Sequence, residues 1–322
     1  MADQDLQVLL TPPRIKGRGA IPSPVDNRQY TDEDDLIKAI LGDRKIPQKL
    51  PAKVDLTRDF SPVWNQGNIG SCTAQAGVAL MEFIQRRQLK KLGKEDSFIA
   101  GSRLFVYKNT RNLYGEIGDT GAPITLMMKS LALFGMAPEQ FWPYTDSPMA
   151  FDRDPPGFCY QLAQSFQALT YFRLDKFQDT KKDLVENRKK LLPKIKFWIS
   201  QGFPPVFFFV CYKGTFEDDH KVKGMIQPPL PKNPKTGKSP TGLDGAHAIV
   251  AAGYDDNYEY TDLKGKKHKG ALLIRNSWGP EWGVKKGYGY LPYSYVLDGL
   301  AQEFWCLCKN EWTDTQDLDD SV

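Results

Sequence analysis

The chain has 322 residues, 41% hydrophobic and 25% charged, with 27 glycines and 23 prolines, an ordinary globular composition that is rich in turns and long enough for a sizeable core. A net charge of +4, from 43 basic and 39 acidic residues, is too small and too evenly spread for a nucleic-acid surface, so no nucleic-acid partner is expected. The opening stretch MADQDLQVLLTPPR carries two acids and an apolar run too short for a signal peptide or a membrane span. The expectation is a cytoplasmic protein without a membrane partner, with non-classical export or a signal lost from this sequence as the alternatives.

Residues 1–55 read as an extension in which prolines at 12, 13, 22, 24, 47 and 51 surround one short helix. TDEDDLIKAILGD supplies it, with Thr31 as N-cap, Asp32 to Asp35 complementing the helix dipole, and Gly42 as the stop. Its stripe of Leu36, Ile37, Ile40 and Leu41 is too narrow to fold alone, so it should dock on the body. A longer helix is expected over about 73–93, where Ala76, Ala79, Leu80, Phe83 and Ile84 recur at helical spacing. Two more are expected near 97–112 and 124–134. Beyond Phe158 the texture changes to short aromatic and β-branched runs bounded by glycine and proline: FQALTYFRLD, PPVFFFVCY, HAIVAAGYD, GALLIRNSW and GYGYLPYSY. One helix, about 180–201, interrupts them.

The basic clusters at 181–196 and 264–269 are interleaved with acids or turn residues and read as solvated faces. MIQPPLPKNPKTGKSPTG reads as a long surface loop. The fold class is α+β, a helical half followed by a mainly antiparallel β half, with a pocket expected where they meet. The domain plan is an extension at 1–55, a helical lobe at 56–157, a β lobe at 158–312 and an acidic tail at 313–322.

Cys72, Cys159, Cys211, Cys306 and Cys308 make an odd count without framework spacing, which suits a reducing compartment. Cys306 and Cys308 would share one face of a strand, but no second Cys or His pair accompanies them, so neither a metal nor another cofactor is expected. NQGNIGSCTAQAG places Cys72 at the start of the predicted helix, where unpaired N–H groups and the dipole favour a thiolate. Gln66, on the preceding glycine-bearing loop, carries an amide that can donate to an oxyanion without adding charge.

Of three histidines, His220 and His268 lie in charged segments, whereas His247 opens an apolar run where a histidine needs a partner. Asn276, in LLIRNSWGPEWG, offers an oxygen that sets the imidazole tautomer, and Trp278 can shield that bond.

In this order the segments resemble the papain family of cysteine peptidases, over about 56–312. QGNIGSC matches the oxyanion glutamine and nucleophile, giving Gln66 and Cys72 those roles. GAHAIVAAGYD and IRNSWGPEWGVKKGYGYL match the histidine and asparagine segments, giving His247, Asn276 and Trp278. GDTGAPITLMMKSLALFGMAPEQFWPY resembles the substrate-binding glycine loop, helix and tyrosine turn. The resemblance implies that Gly121 pairs with substrate backbone, while Ala122, Pro123 and Ala248 line a substrate pocket.

A papain-like two-lobed fold with the cleft between its lobes, a peptide or protein substrate, a thioester intermediate and a monomer follow as expectations. The same residues also suit a transamidase or peptide ligase, and a silent binding protein would keep the cleft. Two positions depart from the pattern: Ile69 replaces the cysteine three before the nucleophile, and Thr73 the aromatic after it. The missing cysteine removes a family disulfide and points to a disulfide-poor, prokaryotic-type branch. His247 follows Cys72 by 175 residues, against roughly 130–150 in the family pattern. The extension reads equally as a short pro-segment over the cleft, making a zymogen, or as a permanent brace.

Overall fold

The computed structural model describes residues 19–24, 26, 29–175, 181–213, 224–230 and 242–310. His220, the acidic tail at 313–322 and most of the proline-rich loop lie outside the described residues.

The extension contributes a two-residue strand β1 (Ala20–Ile21) and a helix α1 (Asp35–Leu41). The helix begins four residues after the expected cap, because Thr31 is engaged otherwise. Its N–H and hydroxyl both donate to Asp34 Oδ2 at 2.7 Å, tightening a turn that leaves Asp34 at the capping position. As expected, the helix docks: Ile37 is 1% exposed, and Asp32 accepts from Lys194 Nζ at 2.9 Å and Trp198 Nε1 at 3.2 Å.

After β2 (Lys53–Asp55) comes α2 (Cys72–Leu92), buried along most of its length. Gly93 ends it with φ 65°, the left-handed conformation that glycine adopts without strain. Next, α3 (Arg103–Tyr114) begins six residues later than the periodicity suggests. Ser102 Oγ caps it by accepting from Phe105 N at 3.1 Å. Then follow β3 (Ala122–Pro123), α4 (Ile124–Leu133) and α5 (Gly157–Ala163), the last of them not anticipated.

The second half runs β4 (Ala168–Arg173), α6 (Lys181–Ser200), β5 (Val206–Tyr212), β6 (Leu243–Thr261), β7 (Lys267–Arg275), β8 (Tyr288–Pro292), α7 (Tyr293–Leu297) and β9 (Ala301–Asn310). The strands form a seven-stranded sheet in the order β4-β9-β5-β6-β7-β8, with β2 also on β6 and every pairing antiparallel. All seven residues of β5 are buried, which is why this strand reads as an unbroken apolar run and not as an alternation. Both α2 and α6 pack on β6. The architecture is the α+β one expected: a helical region followed by a curled antiparallel half-barrel.

One buried polar cluster fixes the loop that follows α3. Asp152 accepts from Lys108 Nζ at 3.0 Å, Arg111 NH1 at 2.6 Å and Gly118 N at 2.8 Å, while the Arg111 guanidinium is wholly buried over the Tyr107 ring. Burial raises the Asp152 carboxyl, but the hydrogen bonds outweigh it and hold the group below its ordinary value. A carboxyl lowered in this way contributes stability that is full above the unfolded value of about 3.9 and is lost as pH falls through the folded one. Asp152→Asn leaves the buried Arg111 without its counter-charge, and the expected cost at pH 7 is about 2–3 kcal/mol, discounted from the buried-pair range because Asp152 is partly exposed. Urea unfolding at pH 7 and pH 3 measures this; equal loss at both pH values contradicts it.

Candidate active site

Cys72 is the first residue of α2 and is fully buried. Its Sγ accepts from the backbone N–H of Ala248 at 3.5 Å, so the nucleophile candidate meets the strand residue that follows His247. His247 is equally buried, and its Nε2 lies 2.7 Å from Asn276 Oδ1. That oxygen also accepts from Ser277 N at 2.8 Å, which identifies it as the carbonyl end of the amide. The imidazole therefore carries its proton on Nε2 and leaves Nδ1 as the other ring nitrogen. Trp278 stacks on the imidazole with centroids 4.8 Å apart, and Phe209 packs edge-on to it at 6.0 Å. Both rings keep water from the His247–Asn276 bond and hold the imidazole plane.

Gln66 is fully buried, and its amide is oriented by contacts at both ends. Ser277 Oγ donates to Oε1 at 2.5 Å, so the NH₂ end faces the nucleophile loop, where it donates to Ile69 O at 2.9 Å. Gln66 N donates to Ser277 O at 2.8 Å, and Asn65 bridges Trp278. The loop before Cys72 is thus sewn to the segment that carries Asn276.

Sequence reasoning missed Ser277, Phe209 and Tyr144, whose hydroxyl donates to Gln66 O at 2.7 Å. Ser277 and Tyr144 fall inside the matched segments, but their bonds to Gln66, like the packing of Phe209 on His247, join residues far apart in the chain, which spacing does not signal. Thr73, which stands where the family pattern has an aromatic, donates its hydroxyl to Ala122 O at 2.9 Å and so ties α2 to β3. Among the other histidines, His268 at the start of β7 pairs with Asp262 at 2.8 Å outside this site.

The cleft is occupied by the chain's own extension. β1 pairs parallel with β3, Ala20 opposite Ala122 and Ile21 opposite Pro123. Gly19 O accepts from Ala122 N at 2.7 Å, and the Gly19 N–H donates to Cys72 Sγ. Burial pushes the Cys72 thiol above its ordinary value, opposed by the N–H groups of Ala248 and Gly19. The strap therefore shows the sulfur an amide hydrogen while its own Gly19 carbonyl is turned to β3.

Fit is close here. A methyl on Gly19 would stand 2.0 Å from Gly70 O, and one on Gly121, whose φ is +78°, would stand 2.1 Å from Gly19 O. Of the positions expected to contact substrate, Ala122 makes the backbone bond to the strap. The Gly121 N–H turns inward to Tyr107 Oη at 3.0 Å.

Farther along, Ser23 is held by both oxygens of the buried Glu303: N–H to Oε1 at 2.6 Å and hydroxyl to Oε2. Ser23 Oγ in turn accepts from Thr125 N at 3.1 Å. Among the described residues no group of His, Cys, Asp and Glu forms a metal cluster, and no helix is long and apolar enough to cross a membrane. All five cysteines are thiols.

No family model matches the chain. It is 32% identical over 275 residues to a peptidase C1-like protein of Acanthamoeba polyphaga mimivirus, an alignment covering 84% of this chain and 75% of that protein. Xylellain, a cysteine protease from Xylella fastidiosa, superposes with a TM-score of 0.67 at 29% identity, over 92% of this chain and 98% of that one. Bromelain from Ananas comosus, at 19% identity and a TM-score of 0.51 over 81% of this chain and 100% of that one, shares the fold.

Proposed function

The chain belongs to the papain-like family of cysteine peptidases, and we propose that it cuts peptide bonds through Cys72, His247, Asn276 and Gln66, with its own N-terminal strand holding the cleft shut. The observation that carries this reading is the Nε2–Asn276 bond of His247 on the same strand as the Ala248 N–H that meets Cys72 Sγ. It leaves His247 Nδ1 to take the thiol proton, and the first turn of α2 stabilises the thiolate.

The thiolate attacks a peptide carbonyl of the substrate. The oxyanion receives hydrogen bonds from the Cys72 N–H and the Gln66 amide, and His247 protonates the leaving amine. Water, deprotonated by His247, then hydrolyses the thioester. Ala122 pairs with the peptide backbone as it now pairs with Gly19, beside Gly121, Pro123 and Ala248. The reaction needs no cofactor, and its partner is a peptide segment reaching a monomer in a reducing compartment.

The strap supports latency because it presents an N–H to the sulfur, which offers nothing to attack. Product analysis tests the reading: an unstructured peptide incubated with the full chain and an added amine is expected to yield free carboxyl termini. Products capped by the amine in excess of free acid would instead make the chain a transamidase. In the same assay Gln66→Ala is expected to lower turnover by about 10²–10³-fold, the usual effect of one oxyanion donor; a change below threefold removes Gln66 from that role.

A further inference from the structure

We propose that Asp119 is a positioning residue of the cleft, tying the loop before the nucleophile to the loop that pairs with peptide backbone and so setting the register between them. The inference rests on the peptidase reading above. A single carboxylate oxygen, Asp119 Oδ1, accepts from Gly70 N at 2.7 Å and from Tyr107 Oη at 2.6 Å. Tyr107 Oη in turn accepts from Gly121 N at 3.0 Å.

The relay Gly70–Asp119–Tyr107–Gly121 therefore joins the two walls. One end lies two residues before Cys72, and the other lies one residue before Ala122, whose N–H holds the strap. The walls approach closely: a methyl on Gly70 would stand 3.3 Å from Asp119 Oδ1 and 3.5 Å from Gly121 Cα. Burial first, and Asp119 second, push the Tyr107 phenol well above its ordinary value, so it stays protonated and donates wherever the protein is folded.

No covalent link performs this task, because Ile69 stands where a cysteine is usual and all five cysteines are thiols. A hydrogen-bonded carboxylate shared by two donors is stronger and more directional than a neutral bond. Removing it leaves the Gly70 and Tyr107 donors without their acceptor, and the two walls lose their common anchor. Asp119 makes no hydrogen bond to Cys72, His247 or Asn276. Its removal should therefore degrade alignment of a peptide and leave the intrinsic reactivity of the thiol alone.

The test uses the full chain carrying Gly19→Val, which expels the strap. Adding Asp119→Ala is expected to lower kcat/KM for a peptide at least tenfold, mainly through KM. The rate at which iodoacetamide alkylates Cys72 should stay within twofold of the parent. Asp119→Asn, whose amide oxygen can accept the same two hydrogens, should recover most of the loss. Tyr107→Phe, which keeps the ring packed, should show the same KM bias at smaller size and provides the reading if the alanine variant does not fold. A kcat/KM within twofold of the parent in Asp119→Ala overturns the proposal, as does a parallel fall in alkylation and peptide turnover. Absence of Cys72-dependent turnover in the Gly19→Val parent overturns the peptidase reading, and the proposal with it.

Discussion

With valine at position 19, the full chain is expected to hydrolyse a peptide at low concentration about 10²–10³-fold faster than the unaltered chain, since each 1.4 kcal/mol of closing energy is a factor of ten. The backbone bonds of a two-residue parallel pair contribute about 1 kcal/mol each, and burying Ala20 and Ile21 adds about 2–3 kcal/mol. A side chain on Gly19 cannot be accommodated by rotamer change, because the atoms 2.0–2.5 Å from its first carbon are the Gly70 carbonyl and Cα. Overlap with the Gly70 backbone forces the strand out as a whole. The rest of the extension keeps its anchors, Ser23 on Glu303 and Asp32 on Lys194 and Trp198, so the body should remain folded. Initial rates and thermal unfolding of the two proteins decide it: equal rates in two equally stable chains mean that the strap does not govern access.

In that unlocked chain, Cys72→Ala is expected to abolish turnover, with a loss on the order of 10⁴–10⁶ in kcat, as when a nucleophile is removed from a machinery that acts as a unit. The fold should survive, because the sulfur meets backbone donors from Ala248, Gly19 and Thr73 and the Thr73 side chain, and the Thr73 bond to Ala122 O that ties α2 to β3 does not need the sulfur. Near-normal hydrolysis by this variant would assign the chemistry elsewhere. Loss of activity together with loss of cooperative unfolding would instead make Cys72 a packing residue.

The longest elements were legible in sequence because their signals are local. The apolar spacing of Ala76, Ala79, Leu80 and Phe83 gives α2 to within a residue, and the short apolar runs bounded by proline or glycine give β5 and β7. The structure also brings Gln66, Cys72, His247 and Asn276, suggested from three separate segments, into one buried cluster with Trp278 stacked on its imidazole. What the sequence hid is carried by partners distant in the chain. β9 mixes Gln302, Glu303 and Lys309 into its run, and Glu303 is buried only because Ser23 and a neighbouring Arg173–Asp175 pair receive it. β1 has no periodicity at all, since two residues form a strand only when β3 supplies the edge. Arg103 and Arg111 look like surface charges by type, yet both are buried, the first on Glu139 and the second on Asp152.

The strap is joined to the body through residues 22–34, and this has a kinetic meaning. A blocker on the same chain is present at a fixed effective concentration, near millimolar for a short tether, whatever the protein's abundance. On the proposed reading each molecule silences itself, and dilution does not wake it. A single cut between the strap and α1 would change the order of the process: the strap, with the residues before it, would become a separate peptide whose rebinding weakens on dilution. Activity would then switch on once per molecule and stay on.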